Sequence, residues 1–125
     1  MRARPSRVKS IEHVVSPLKW LGGKRWLVPV LEPMWWFSGA DRLVEPFCGG
    51  LSVALNLHPE QVLANDLNPH LINFFRFVQN GMKRTLPMRY DSGLYYEYRR
   101  QFNDLIRRNE HDTQTAAELF YYLNR

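Results

Sequence analysis

"RLVEPFCGGLSVALNLHPEQVLAND", residues 42–66, decides the fold. Its first five residues form a short apolar run closed by proline, the pattern of a buried strand. "GGLSVALNL" (49–57) reads as a helix and "QVLAND" (61–66) as a second strand. Strand, helix and strand in that order imply a right-handed parallel crossover, and hence an α/β fold. Where the first strand turns into its helix stand Glu45, Pro46, Phe47, Cys48, Gly49 and Gly50. Glycines there let a ligand approach the main chain, and the first turn of a helix offers free N–H donors. Asp66 follows Glu45 by about 20 positions, where doubly wound folds keep the acid that accepts bonds from ribose hydroxyls. A nucleoside-containing cofactor fits this spacing, and so does a plain tight turn with a capping acid.

Upstream, "PLKWLGGKRWLVPVL" (17–31) sets Gly22 and Gly23 between Lys19, Trp20 and Lys24. A short helix is expected over residues 24–31, ended by Pro29 and Pro33 before "MWWF". Trp26, Trp35 and Trp36 read as core or edge packing. Residues 1–15 read as a basic arm, residues 16–82 as a cofactor-binding α/β region, and residues 83–125 as a helical segment.

Downstream, "NPHLINFFRFVQNG" (68–81) is a helix with Asn68 as its cap, Pro69 in its first turn and Gly81 at its exit. Its apolar residues leave little polar face, so heavy burial is expected. Over residues 92–109 the set Leu94, Tyr95, Tyr98, Phe102, Leu105 and Ile106 makes one helical stripe with arginines opposite. "TQTAAELFYYLNR" (113–125) reads as a last helix.

A chain of 125 residues with 45% hydrophobic and 14% aromatic content can bury one core. No apolar run approaches the roughly 18 residues of a membrane span, so no membrane partner and a cytoplasmic location are expected. One cysteine, Cys48, allows no internal disulfide, and no zinc-binding spacing is present. Cys48 reads as a small apolar filler. His13, His58, His70 and His111 lack useful spacing and read as surface or capping residues. Of the net charge of +5, Arg2, Arg4, Arg7 and Lys9 contribute one cluster. Residues 83–108 hold Lys83, Arg84, Arg89, Arg99, Arg100, Arg107 and Arg108 against Asp91, Glu97 and Asp104. Two basic regions around a near-neutral middle suit phosphate backbones, although solvated surfaces carry such charge as well.

"PLKWLGGK", "LVEPFCGGLSVAL", "LANDLNPHLI", "YYEYRRQFN" and "LFYYLNR" occur in this order along residues 17–125. In that order they resemble the N-terminal part of the DNA adenine N6-methyltransferase family (Dam-like, D12 class). The resemblance implies a partial Rossmann-like, S-adenosyl-L-methionine-dependent methyltransferase fold: parallel strands with flanking helices, followed by a helical segment. It implies S-adenosyl-L-methionine as cofactor and double-stranded DNA as partner. Asp66, followed by Leu67, would take the ribose hydroxyls, and Glu45 would face the methionine ammonium. Trp20 and Lys24 would border the methionine end, with Gly22 and Gly23 letting that loop close. Pro46, Phe47, Cys48, Gly49 and Gly50 would floor the pocket. Lys19 would reach a base edge, Asn124 would lie near the flipped nucleotide, and Arg99 and Arg100 would meet DNA. Leu51 stands where the family often has a further glycine, which tightens that spot.

The family's Asp-Pro-Pro-Tyr tetrapeptide, which holds the flipped adenine's amino group, is absent from these 125 residues. No catalytic residue is therefore assigned, and the isolated chain is expected to be inactive. Two parallel strands alone leave open edges. A downstream segment or second polypeptide with the catalytic motif is therefore expected to complete the fold. The competing reading is a non-catalytic DNA-binding or regulatory module derived from such an enzyme.

Overall fold

The computed structural model describes residues 13–125. Arg2, Arg4, Arg7 and Lys9 of the expected arm lie outside the described residues. A 3-10 turn, Arg25–Leu27, leads into α1, Val28–Ser38. Then come β1 (Arg42–Glu45), α2 (Ser52–Leu57), β2 (Gln61–Ala64), α3 (Pro69–Gln79), α4 (Ser92–Arg107) and α5 (Gln114–Leu123).

β1 and β2 pair in parallel, Arg42 opposite Gln61 and Glu45 opposite Ala64. The pairing continues into the turns, where Asn65 N–H donates to Glu45 O and Cys48 N–H to Asn65 O. Along β1 the side chains alternate, Leu43 and Glu45 turned inward, Arg42 and Val44 outward. β2 is open, with Val62 and Leu63 both about half exposed. α2 carries the chain from one strand to the other.

α1 departs from expectation. It runs through "MWWF", with Pro29 in its first turn and Pro33 in its interior, and ends at Gly39 with φ +66°. Pro33 lacks the N–H that would reach the carbonyl of Pro29. Both prolines are exposed, so water can satisfy that carbonyl and the helix survives. Trp26 and Trp36 are not core residues either. They are exposed together with Val30, Met34 and Phe37.

The core lies on the other side. Leu18, Cys48, Leu71, Phe74 and Phe120 form one buried cluster; Tyr98, Leu119 and Tyr122 form a second. α3 is buried through its first half only, since Val78 near its end is 44% exposed. Asn68 caps it through His70 N–H and Leu71 N–H. α5 joins α3 to α4: its Phe120 ring touches Phe74 and Phe102, and its Tyr122 meets Tyr98 edge-on.

His70 and His111, read from sequence as surface or capping residues, meet edge to face with centroids 5.6 Å apart. Phe102 and Phe120 also flank His70, and its Nδ1 is buried without a partner among the described residues. Burial first, and then the neighbouring His111, hold the His70 pKa below 6.5. A lowered histidine pKa means that the unfolded chain binds protons more readily. Stability is therefore expected to fall as pH drops below about 6.5 towards the lower folded-state pKa. Thermal melts across pH 5–8 check this, with the His70→Phe variant expected to lose that part of the pH dependence.

Candidate functional site

The ends of β1 and β2 bring the motif residues together. Asp66 clips the two turns: Oδ2 accepts from Gly49 N–H at 3.0 Å and Oδ1 from Asn68 N–H at 3.0 Å. A carboxylate has about four acceptor positions, so two remain. Glu45, closing β1, is 8% exposed, and its Oε2 is buried without a partner among the described residues. Burial pushes its pKa up, opposed by the Lys24 charge and by a backbone bond from Ala54 in the first turn of α2. Lys24 Nζ donates to the carbonyl of Phe47, fixing the "GGK" loop to the β1 turn.

The glycines divide in purpose. Gly22, at φ +75°, has open space where a Cβ would stand, and a Cβ on Gly23 would make only ordinary contact. Gly49 and Gly50 are the crowded pair. A Cβ on Gly49 would sit 3.1 Å from Trp20 Cδ1, and one on Gly50 would sit 2.7 Å from Ser16 Oγ. Residues 16–20 thus lie directly across the β1 turn. Leu51 follows with φ +60°, a left-handed conformation that favours glycine, and its side chain packs on the first core cluster.

Cys48 is buried in that cluster. Burial, then the charges of Asp66 and Glu45, push its thiol pKa up, away from thiolate reactivity. Phe47 is 75% and Leu67 94% exposed, so both strand ends present apolar side chains to solvent. Pro46 is exposed beside Phe47.

Lys19 and Asn124, from the first and last motifs, also meet. Lys19 N–H donates to Asn124 O at 2.6 Å, while Trp20 packs on Phe120. Arg99 and Arg100 are exposed on α4. A separate cleft of about 380 Å³ is lined within the helical segment by Tyr90, Asp91, Ser92, Tyr95, Tyr122 and Arg125.

Sequence reasoning missed Asn56. Its Nδ2 donates to Val14 O and its Oδ1 accepts from Val14 N–H, each at 2.9 Å, pinning the segment around Val14 onto α2. The available signal was an amide inside the apolar run "VALNL". Among the described residues no group of three or more metal-ligating side chains exists, and no helix is long and apolar enough to cross a membrane.

The family comparison is independent of this geometry. The model for D12 class N6 adenine-specific DNA methyltransferases matches residues 20–125. The chain belongs to this family. A DNA adenine methylase of Vibrio cholerae serotype O1 is 34% identical over 116 residues, covering 86% of this chain and 39% of the relative. The DNA adenine methylase of Escherichia coli strain K12 is 32% identical, with the same coverage. A DNA N-6-adenine-methyltransferase of Escherichia phage P1 is 33% identical, covering 88% of this chain and 15% of the relative. The chain thus spans about two fifths of the length of the bacterial D12 relatives. Lys19 lies just before the span matched by the D12 model.

Proposed function

We propose that this chain is the S-adenosyl-L-methionine-binding portion of a site-specific DNA adenine N6-methyltransferase, built on a partial Rossmann-like fold. Membership of the D12 family supports the reaction class. One observation in the chain itself carries the cofactor assignment: the buried, unpartnered Oε2 of Glu45 at the β1 turn. An orphaned buried carboxylate oxygen is costly unless a cation completes it. The methionine ammonium is such a cation. Asp66 retains two acceptor positions for the ribose hydroxyls, and Phe47 and Leu67 offer exposed apolar surface at the strand ends. When bound, the cofactor would supply an electrophilic methyl sulfonium. The chain's own residues would hold its charged tail at Glu45 and its sugar at Asp66, with residues 16–24 closing against the Gly49–Gly50 turn.

Transfer to adenine N6 requires acceptors for the amino group of a flipped base. The family's Asp-Pro-Pro-Tyr tetrapeptide is not among these residues, so the reading includes a further segment or polypeptide that carries it. The open faces of the sheet at Val44, Val62 and Leu63, with the exposed side of α1, support a completing part.

Calorimetric titration with S-adenosylmethionine tests the reading. Glu45→Gln is expected to weaken binding about tenfold, a charge-assisted contact reduced to a neutral one. The same substitution removes a buried charge that Lys24 and Ala54 N–H only partly offset, so unfolding stability should stay level or rise. Unchanged cofactor affinity in Glu45→Gln would remove the ammonium assignment.

A further inference from the structure

Between α3 and α4, residues 83–91 run without helix or strand, yet they are held at nearly every peptide unit. One face of α5, continued by Arg125, supplies most of the grips. Gln114 Nε2 donates to Lys83 O at 3.0 Å. Glu118 accepts from Thr85 N–H at 2.8 Å and from Leu86 N–H at 2.9 Å. Tyr122 OH donates to Arg89 O at 2.9 Å, and the Arg125 guanidinium donates to Met88 O. From α4, Tyr98 OH donates to Pro87 O at 3.0 Å.

Apart from the Thr85 hydroxyl, which donates to Glu118, these bonds address the main chain. The anchoring therefore leaves the Lys83, Arg84 and Arg89 side chains free to serve something else, while Thr85 and Asp91 bond within the chain. Leu86 and Met88 turn inward onto the Tyr98, Leu119 and Tyr122 cluster. Lys83, Arg84 and Arg89 stay exposed. Among the described residues none of these three has an ion-pair partner, the one ion pair being Arg107 with Asp104. Lys83, Arg84, Leu86 and Met88 together line an open depression of about 520 Å³.

We infer that residues 83–91 form a rigid strap that grips the sugar-phosphate backbone of duplex DNA, with Lys83 and Arg84 as its phosphate contacts. Two cations beside a half-buried apolar floor match the alternation of phosphate and sugar along a nucleic-acid strand. A strap fixed through its backbone has little freedom left to lose on binding, which is the benefit of preorganisation. Glu118 acts here as a positioning residue, since it touches the strap and not the DNA. The inference rests on the proposed action on double-stranded DNA, and it adds a contact line distinct from Arg99 and Arg100.

Anisotropy titrations of the 125-residue chain with a labelled duplex, across a salt series, test it. Each neutralised phosphate adds about 0.9 to the slope of log affinity against log salt. The double variant Lys83→Ala, Arg84→Ala is expected to lose about 1.8 from that slope, with S-adenosylmethionine affinity unchanged. Duplex binding by the parent chain with an unaltered slope in the variant overturns the strap and leaves the proposed function standing. Absence of duplex binding by the parent chain overturns the strap and leaves the S-adenosylmethionine-binding reading to its own calorimetric test. Displacement of the duplex by polyglutamate as effectively as by unlabelled duplex of equal charge would mark a general polyanion surface and overturn the strap as well.

Discussion

Glu118→Ala is expected to lower unfolding stability by about 3 kcal/mol, the range for removing one partner of a buried, fully bonded charge. Glu118 has no exposed surface, and four donors converge on its two oxygens: Thr85 N–H, Thr85 Oγ1–H, Leu86 N–H and Gln114 Nε2–H, at 2.8 to 3.0 Å. Alanine is a good helix former, so the loss cannot come from α5 itself. It comes from the stranded donors of the 83–91 segment and from the void left between that segment and the helix. Glu118→Gln keeps the volume and one acceptor, and should cost about half as much. Burial alone would raise the Glu118 pKa, but the bonds from Gln114, Leu86 and Thr85 together outweigh it and hold the group below its ordinary value of 4.5. A lowered acid pKa stabilises the fold above the unfolded value, and that contribution is lost as pH falls below about 4.5. Urea denaturation at neutral pH and at pH 4 checks both parts. A Glu118→Ala midpoint within about 1 kcal/mol of the parent would show that the carboxylate is not holding the segment.

The contrast between Glu118 and the β1 turn shows what a sequence carries on its surface. Strand ends, the Gly49–Gly50 turn, the Asn68 cap with Pro69, and Gly81 at φ +77° were legible because each is fixed within a few residues. Interactions of long span were not. Nothing local to Glu118 announces Thr85, nothing near His70 announces His111, and Asn56 finds Val14 only after α2 has folded against the chain's entry. Two errors in reading α1 had local causes. Pro29 and Pro33 were expected to end the helix before "MWWF", although the exposed Pro33 inside α1 sacrifices only one bond, which water can replace. Trp26, Trp35 and Trp36 were read as core or edge packing; the exposure of Trp26 and Trp36 rules out the core for these two, because the rule that aromatic residues bury large areas fails on a face left uncovered. The candidate site was legible to the extent that it lies at strand ends. The double duty of Asp66 was not, because its acceptance from Gly49 N–H depends on parallel pairing of β1 and β2.

That double duty shapes the second large expected effect. Asp66→Asn should weaken S-adenosylmethionine binding about 100-fold, the consequence of exchanging two charge-assisted acceptor bonds for at most one neutral bond. The carboxylate now spends one lone pair on Gly49 N–H and one on Asn68 N–H. An asparagine has a single acceptor oxygen, so it can keep one of these clips and must turn its amide N–H₂ towards the other N–H. A stability loss of about 1 kcal/mol is expected from that misfit alone. Looser turns would also weaken a cofactor without any bond to its sugar, so affinity by itself cannot separate the two causes. The sugar can. If Asp66 accepts from the ribose hydroxyls, the parent chain will prefer S-adenosylhomocysteine over its 2′,3′-dideoxyribose analogue. Asp66→Asn will then erase most of that preference while weakening both ligands. If the preference survives in Asp66→Asn, or is missing in the parent chain, Asp66 serves only to tie the ends of the two strands together, and the hydroxyls find their acceptors elsewhere.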